Sequence, residues 1–322
     1  MTYFLIVAGF ALLLFGGEAV VRGAVGLAQR LGVSPLIVGL TIVGFGTSLP
    51  EMVVSVNAAL VGSPGIAIGN VIGSNIANMM LILGVAALIM PVAVNPNAVK
   101  RDTFCMVVAT LAFFALGMSG MMVWWHGVVL LTVLAGYIGF TVWHDNTTQD
   151  AAAELHREEA EEIGIIPLKT ISLIGIVVTG LFAVVVGAEW LVRGATDLAT
   201  EFGVPEEVIG LTVVAIGTSL PELATSVVAA YRGHTDVCVG NVLGSNIFNL
   251  FGITSVTSLF APLPFSEKII GFDLWALLVA TAVLLPFMIT GLRINRMEGS
   301  VLVLLYGSYV AAQFFGMSGT MV

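Results

Sequence analysis

Two segments of this sequence occur twice, and the constant spacing between their copies constrains the fold more than any other feature. Gly46-Thr-Ser-Leu-Pro-Glu51 recurs unchanged at residues 217–222, and the ten residues 69–78 recur at 240–249 with two differences. Both second copies lie 171 positions after the first. Near-identity at one fixed offset indicates that the two halves of the chain are copies of one structural unit.

Apolar residues fill most of both halves. Of the 322 residues, 58% are hydrophobic and 10% are charged, whereas soluble domains carry about 25% charged residues. A helix that crosses a bilayer needs about 20 mostly apolar residues. The apolar runs and the breakers between them predict an all-α integral membrane protein embedded in a lipid bilayer. The ten predicted spans are residues 2–29, 34–60, 65–91, 102–118, 121–143, 170–199, 205–230, 236–260, 271–291 and 299–317.

Each half holds five predicted spans, which is an odd number, so the two halves must enter the membrane in opposite orientations. We therefore expect ten transmembrane helices in two inverted five-helix repeats, residues 1–143 and 170–322. Inverted repeats are typical of secondary transporters, whose substrate site lies near the midplane where the repeats meet.

A hydrophilic segment, residues 144–169, joins the two predicted repeats. It carries seven acidic residues, and such charge runs are usually solvated linkers. The alternative is a regulatory cation sensor. The segment lacks the alternating oxygen ligands and the central Gly of an EF-hand loop, so we predict an acidic cytoplasmic linker.

Basic residues predict the orientation of the chain. With the N-terminus outside, only Arg193 and Lys268 of the eleven basic residues lie outside, which satisfies the positive-inside rule. Ten spans then place both termini outside, in a multi-pass protein of the plasma, or inner, membrane.

The sequence offers little about macromolecular partners. No basic stripe is present for a nucleic-acid partner. The sequence leaves the oligomeric state open, and a monomer is compatible with it.

Four acidic residues mark the interior of the predicted spans. A charge at the bilayer centre costs about 2.5–3.5 kcal/mol, yet no basic residue lies deep enough to neutralise Glu51 or Glu222. A mobile cation or a proton would supply the missing charge, and purely structural carboxylates are the alternative. The other two, Glu18 and Glu189, each precede an arginine by four residues, Arg22 or Arg193, and are predicted to form helix-surface ion pairs.

Oxygen-bearing side chains accompany both central glutamates. Thr47 lies four residues before Glu51, and Ser74 lies four before Asn78, so each pair shares a helix face. The equivalent residues of the second copy are Thr218, Glu222, Ser245 and Asn249. Ca2+ takes 6–8 oxygen ligands, whereas the His and Cys clusters preferred by zinc or copper are missing from the sequence. The nearby Asn70, Asn75, Asn241 and Asn246 are predicted to pack or to hydrogen-bond near the site rather than to bind the ion.

Prolines interrupt the helix at both motifs. Pro50 and Pro221 have no N–H to donate to the carbonyl four residues earlier, which leaves that carbonyl free. Irregular backbone within a membrane is tolerated where it lines a cavity. Free carbonyls there could coordinate a cation.

At these doubled motifs the chain resembles the cation/calcium exchanger superfamily, close to its prokaryotic sodium/calcium exchangers. The resemblance implies a secondary antiporter that exchanges Ca2+ for Na+ by alternating access, with the ions as substrates and no cofactor. It also implies that residues 2–29 and 170–199 slide past a central core. The ligand positions that it implies are Gly44, Thr47, Ser48, Glu51, Ser74, Asn78, Ala215, Thr218, Ser219, Glu222, Ser245 and Asn249, where Gly44 and Ala215 contribute backbone carbonyls.

The sequence departs from some relatives at two of these positions. Certain relatives, including potassium-dependent ones, carry Asp where this chain has Asn78 or Asn249. The core therefore has two carboxylates rather than three, and potassium co-transport is not expected.

Other functions share parts of this pattern. A Ca2+/H+ antiporter would use the same glutamates as proton carriers, and a requirement for a Na+ gradient separates the two antiporters. A channel would pass net current without a counter-ion. A membrane enzyme would need a nucleophile and base or a histidine-rich metal site, which the spans lack. An ATP-driven pump is not expected, because no P-loop is present.

Overall fold

The computed structural model describes residues 2–31, 38–94, 96–147, 169–201 and 215–318. Most of the predicted linker lies outside these ranges. The described chain is helical apart from four two-residue strands. The helices are α1 (Thr2–Leu31), α2 (Gly39–Thr47), α3 (Leu49–Leu60), α4 (Pro64–Ile89), α5 (Pro96–Met118), α6 (Trp124–Thr147), α7 (Thr170–Glu201), α8 (Ala215–Thr218), α9 (Leu220–Tyr231), α10 (Thr235–Phe260), α11 (Ile269–Leu292) and α12 (Arg296–Ser318).

Several of these helices are long enough to cross a bilayer. Within the described ranges, seven are sufficiently long and apolar, and an eighth span results if the bent pair α2 and α3 counts as one. The predicted all-helical membrane fold is thus confirmed, while the count of ten spans stays a prediction.

The helix breaks at the two motifs occur where the prolines predict them. Ser48 (φ −82°, ψ 6°) separates α2 from α3, and Ser219 (φ −89°, ψ 6°) separates α8 from α9. Proline fits the first turn of a helix, where its missing N–H costs nothing. The axes of α2 and α3 differ by 45°, so the backbone turns at the point where Glu51 enters the protein interior.

Glycines allow α1 and α7 to pack with their backbones in contact. A Cβ on Gly16 would lie 2.9 Å from the Gly180 carbonyl oxygen, and one on Gly187 would lie 2.8 Å from the Gly9 carbonyl oxygen. Larger residues are excluded there, because a backbone atom cannot rotate aside. The two long helices therefore form one closely packed antiparallel pair.

Two short ribbons join the ends of helices from different halves of the chain. The strand β1 (Val92–Ala93) pairs antiparallel with β4 (Arg293–Ile294), and β2 (Met121–Met122) pairs antiparallel with β3 (Leu263–Pro264). Each ribbon combines one strand from each half, so the ribbons hold the halves in register with each other.

The ion pair predicted within α1 is present, and a third residue that was not predicted takes part in it. Glu18 accepts hydrogen bonds from Arg22, as predicted, and also from Arg232, whose Nε lies 2.8 Å from Oε2 of Glu18. Arg232 follows α9, so this cluster links α1 to another element. The second predicted pair does not form: Glu189 and Arg193 are both exposed, and the described chain shows no ion pair between them. Exposure leaves little to offset the entropy of holding two long side chains together.

Two buried aspartates were not anticipated among the acids of the membrane interior. Asp102 is fully buried and accepts hydrogen bonds from Arg101 and from the Tyr137 hydroxyl, at 2.7 and 2.9 Å. Asp273, 171 positions later, accepts from the Tyr309 hydroxyl at 3.2 Å and from Gln313. These partners explain why the aspartates can be buried near the helix ends.

Removing the tyrosine hydroxyl should weaken the first of these clusters. Tyr137→Phe leaves the buried Asp102 carboxylate with one donor fewer, so we expect a loss of about 1–3 kcal/mol of stability. Thermal unfolding in detergent measures this loss. Tyr306→Phe is the matched control, because the Tyr306 hydroxyl has no hydrogen-bond partner among the described residues. Equal unfolding temperatures for the two variants would contradict the assigned role.

Candidate cation-binding site

The two doubled motifs meet in the protein interior. Ser48 Oγ donates to Oε1 of Glu222 at 2.9 Å, and Ser219 Oγ donates to Oε1 of Glu51 at 3.3 Å. Both glutamates are fully buried. Each carboxylate is therefore held by the serine of the opposite motif, which brings the two glutamates to one place.

Each of these carboxylates keeps one oxygen without a partner. Oε2 of Glu51 and Oε2 of Glu222 are buried and accept no hydrogen bond from the part of the chain that the structure describes, and the same holds for the amide oxygens of Asn78 and Asn249. A buried acceptor without a donor costs about 1–3 kcal/mol. Four such oxygens among the predicted ligands are suited to a hard cation, which binds oxygen ligands.

Electrostatics at the site favour a cation as well. The two carboxylates repel each other, and within the described residues neither forms an ion pair with a basic side chain. Two negative charges buried without a basic partner are strongly unfavourable. A bound cation would remove the repulsion.

Hydroxyl groups lie beside both carboxylates. Thr47 and Ser245 approach the carboxylate of Glu222, and Thr218 approaches that of Glu51. Predicted site side chains that are buried include Thr47, Ser48, Glu51, Ser74, Asn78, Ser219, Glu222, Ser245 and Asn249. Thr218 is partly buried. Of Ala215, only the helical backbone at the start of α8 is described.

The Gly44 carbonyl, a ligand that the resemblance implies, already accepts hydrogen bonds within the protein. It accepts hydrogen bonds from the Ser48 N–H at 3.3 Å and from the Ser245 hydroxyl at 3.1 Å. The Thr47 hydroxyl lies 3.2 Å away. A carbonyl has two lone pairs, so in this conformation both are engaged within the protein.

Wide helical turns carry the two site asparagines. Residues Ala77–Ile82 of α4 and Phe248–Ile253 of α10 form π-turns, and Asn78 and Asn249 are the second residue of each. Such turns are rare and occur frequently at functional sites. Both begin at equivalent positions, so the local geometry is repeated together with the sequence.

The comparison with known families covers almost the whole chain. The family model described as sodium/calcium exchanger protein matches residues 1–143 and 172–315. The chain belongs to the sodium/calcium exchanger protein family. Because that family consists of transporters, the prediction of a transporter rather than an enzyme is confirmed, as is the resemblance carried by the doubled motifs.

Individual relatives of this exchanger align with it over nearly their full lengths. Putative antiporter CaxA of Alkalimonas amylolytica is 36% identical over 94% of this chain and 96% of its own. Sodium/calcium exchanger MaX1 of Methanosarcina acetivorans is 31% identical over 98% and 99%. A solved structure of the sodium-calcium exchanger NCX_Mj, soaked with Na+ and Ca2+, is 32% identical and covers 97% of this chain and 98% of that chain, with a TM-score of 0.83. The chain is thus a multi-pass integral membrane protein.

Two asparagines support the backbone of the exchanger's glutamates. Asn70 Nδ2 donates to the Glu51 carbonyl at 3.1 Å, and Asn241 Nδ2 donates to the Glu222 carbonyl at 3.3 Å. The amide of a third asparagine, Asn246, accepts from Asn78 at 3.2 Å. The hydrogen bonds predicted for these neighbours are present, while their exclusion from the ligand set stays a prediction. The sequence does not predict that the serine of each motif hydrogen-bonds to the glutamate of the other motif, although both serines belong to the duplicated hexapeptide.

Proposed function

We propose that this chain exchanges Ca2+ for Na+ across the plasma membrane by alternating access at one site near the midplane. The observation that carries the proposal is the junction of Glu51 and Glu222, where two buried carboxylates each keep an unpartnered oxygen. A relative over nearly the full length is named a sodium/calcium exchanger. The same pair could balance one Ca2+ or take up Na+ in its place, so the ions compete and exchange.

For the architecture we propose ten transmembrane helices in two inverted repeats, with both termini outside. The contacts between equivalent residues support a two-fold relation between the halves. Ser48 binds Glu222 as Ser219 binds Glu51, and the equivalent hydroxyls of Thr110 and Thr281 lie 3.4 Å apart. The bias of basic residues supports the orientation.

As ligands we propose the set implied by the family motifs, with unequal roles. Glu51 and Glu222 supply charge, and the amide oxygens of Asn78 and Asn249 are free to complete the coordination. Thr47, Ser74, Thr218 and Ser245 would supply neutral oxygens. The carbonyls of Gly44 and Ala215 belong to the same proposed set, and that of Gly44 must first give up a hydrogen bond.

Transport in proteoliposomes tests this function directly. We expect 45Ca2+ uptake that requires an outward Na+ gradient, saturates with Ca2+ and is unchanged by adding or omitting K+. A pH gradient alone should drive no uptake, since a relative that spans nearly this whole chain is named a sodium/calcium exchanger. Uptake driven equally by a pH gradient would replace the proposal with Ca2+/H+ exchange, and net Ca2+ current without a counter-ion would indicate a channel.

A further inference from the structure

Two asparagines next to the site form the same bridge in both halves of the chain. The Asn241 side chain is buried in α10; its nitrogen faces the Glu222 carbonyl, and its oxygen lies 3.2 Å from the Thr47 hydroxyl. Asn70, its equivalent in α4, likewise places its oxygen 3.4 Å from the Thr218 hydroxyl. Each asparagine thus connects a glutamate of its own half to a threonine of the other half.

The orientation of each amide is fixed by its surroundings. Asn241 Nδ2 donates to the Glu222 carbonyl and also faces the hydroxyls of Thr225 and Ser226, at 3.1 and 2.9 Å. A carbonyl oxygen can only accept, so a flipped amide would place two oxygens against each other. The amide oxygen therefore must face Thr47. The same argument applies to Asn70, whose nitrogen faces the Glu51 carbonyl and Ser55.

The Thr47 hydroxyl has a single proton, and its acceptors can be counted. The Gly44 carbonyl is already occupied by the Ser48 N–H and the Ser245 hydroxyl. Ser245 Oγ itself is 3.5 Å from Thr47, at the limit of a hydrogen bond. The Glu222 carboxylate is a further acceptor beside Thr47 in the ion-free site. Once a cation is bound to that carboxylate, the oxygen of Asn241 is the remaining acceptor. When it takes the proton, both lone pairs of the threonine oxygen stay available.

We propose that Asn241 and Asn70 are positioning residues that fix the hydroxyl protons of Thr47 and Thr218, so that the threonine oxygens present lone pairs to the transported cation. Thr47 lies beside the Glu222 carboxylate and Thr218 beside that of Glu51, so a cation held by either glutamate meets a threonine oxygen. A hydroxyl whose proton points at a cation repels it. This inference rests on the proposed function and adds two residues outside the proposed ligand set.

A double-mutant cycle tests whether Asn241 acts through Thr47. Asn241→Leu and Thr47→Val should each raise the half-saturating Ca2+ concentration about five- to tenfold, which corresponds to the loss of one hydrogen-bonded ligand. The double variant should be weaker than Thr47→Val alone by clearly less than the effect of Asn241→Leu in the wild type, because the amide has no hydroxyl left to orient and only its bond to the Glu222 carbonyl is still lost. Independent effects that multiply in the double variant would overturn the proposal.

The readouts separate positioning from a general structural role. The Ca2+-dependent rise in unfolding temperature measures binding without transport, and the unfolding temperature without ions reports folding. Ser226→Ala is the matched control, since it removes a partner at the nitrogen end of Asn241 and leaves Thr47 untouched; we expect its half-saturating Ca2+ concentration to stay within about twofold of wild type. A loss equal to that of Asn241→Leu would overturn the proposal.

The equivalent pair provides a second cycle if Asn241→Leu does not fold. Asn70→Leu and Thr218→Val should show the same non-additivity. Failure of the proposed function is distinguishable: wild-type protein without Na+-driven Ca2+ uptake contradicts the function itself. Active wild-type protein with additive cycles at both pairs contradicts only the positioning of the hydroxyl protons.

Discussion

Replacing either Glu51 or Glu222 with Gln is expected to abolish Na+-driven Ca2+ uptake while the protein stays folded. The substitution removes one of two buried charges and converts an unpartnered carboxylate oxygen into an amide group. Removing one member of a buried charge interaction costs about 3 kcal/mol or more, so Ca2+ binding should fall about a hundredfold or more. 45Ca2+ uptake and the Ca2+-dependent shift in unfolding temperature measure both effects.

The same substitutions should have an opposite effect on the ion-free protein. The two carboxylates repel each other in the empty site, so a single Gln should raise the unfolding temperature in buffer without Na+ or Ca2+. Glu189→Gln is the matched control, because Glu189 lies in a membrane helix but is exposed; we expect wild-type uptake and stability. Undiminished uptake in either central variant would exclude these glutamates as the transport site.

Substituting one glycine of the duplicated segment should destabilise the protein, whereas the same change at its equivalent should not. A Cβ on Gly244 would overlap the Leu40 carbonyl oxygen and lie 2.7 Å from its carbon, but one on Gly73 meets nothing within 4 Å. A backbone contact cannot be relieved by a rotamer change. Gly244→Ala should therefore cost about 1–3 kcal/mol or more by overpacking α10 against α2.

Thermal unfolding in detergent and the yield of monodisperse protein measure this difference. Gly73→Ala is the internal control, since it alters the same sequence motif with the same chemistry and should unfold near the wild-type temperature. A Gly244→Ala protein as stable as wild type would show that α10 and α2 do not pack with their backbones in contact.

Much of the site is predictable because it depends on local pattern. The spacing of Thr47 and Glu51, the proline after the helix break and the exact repetition 171 positions later all follow from sequence and helix geometry. Burial of both glutamates follows from the apolar runs around them. These features require no knowledge of how helices from the two halves face each other.

The features that the sequence does not predict depend on that packing. Which serine binds which glutamate is decided by the approach of α2 to α8 and α9, and no local pattern encodes it. Occupation of the Gly44 carbonyl by Ser245 has the same origin. The burial of Asp102 and Asp273 is not predictable from local sequence, because the hydroxyl groups that bind them belong to Tyr137 and Tyr309, about one helix further along the chain.

The cluster around Glu18 makes the two halves unequal despite their common sequence. Glu18 binds Arg232, whereas the position equivalent to Arg232 is Val61 and the equivalent of Glu18 is the exposed Glu189. Within the described ranges, the equivalent helix α7 has no such ion pair to the turn after α3. A partly exposed ion pair contributes about 1 kcal/mol at most, but that amount changes a two-state ratio about fivefold. In the proposed alternating-access cycle, an ion pair present in one half alone would favour one of the two access states, so the maximal rates of forward and reverse exchange would differ.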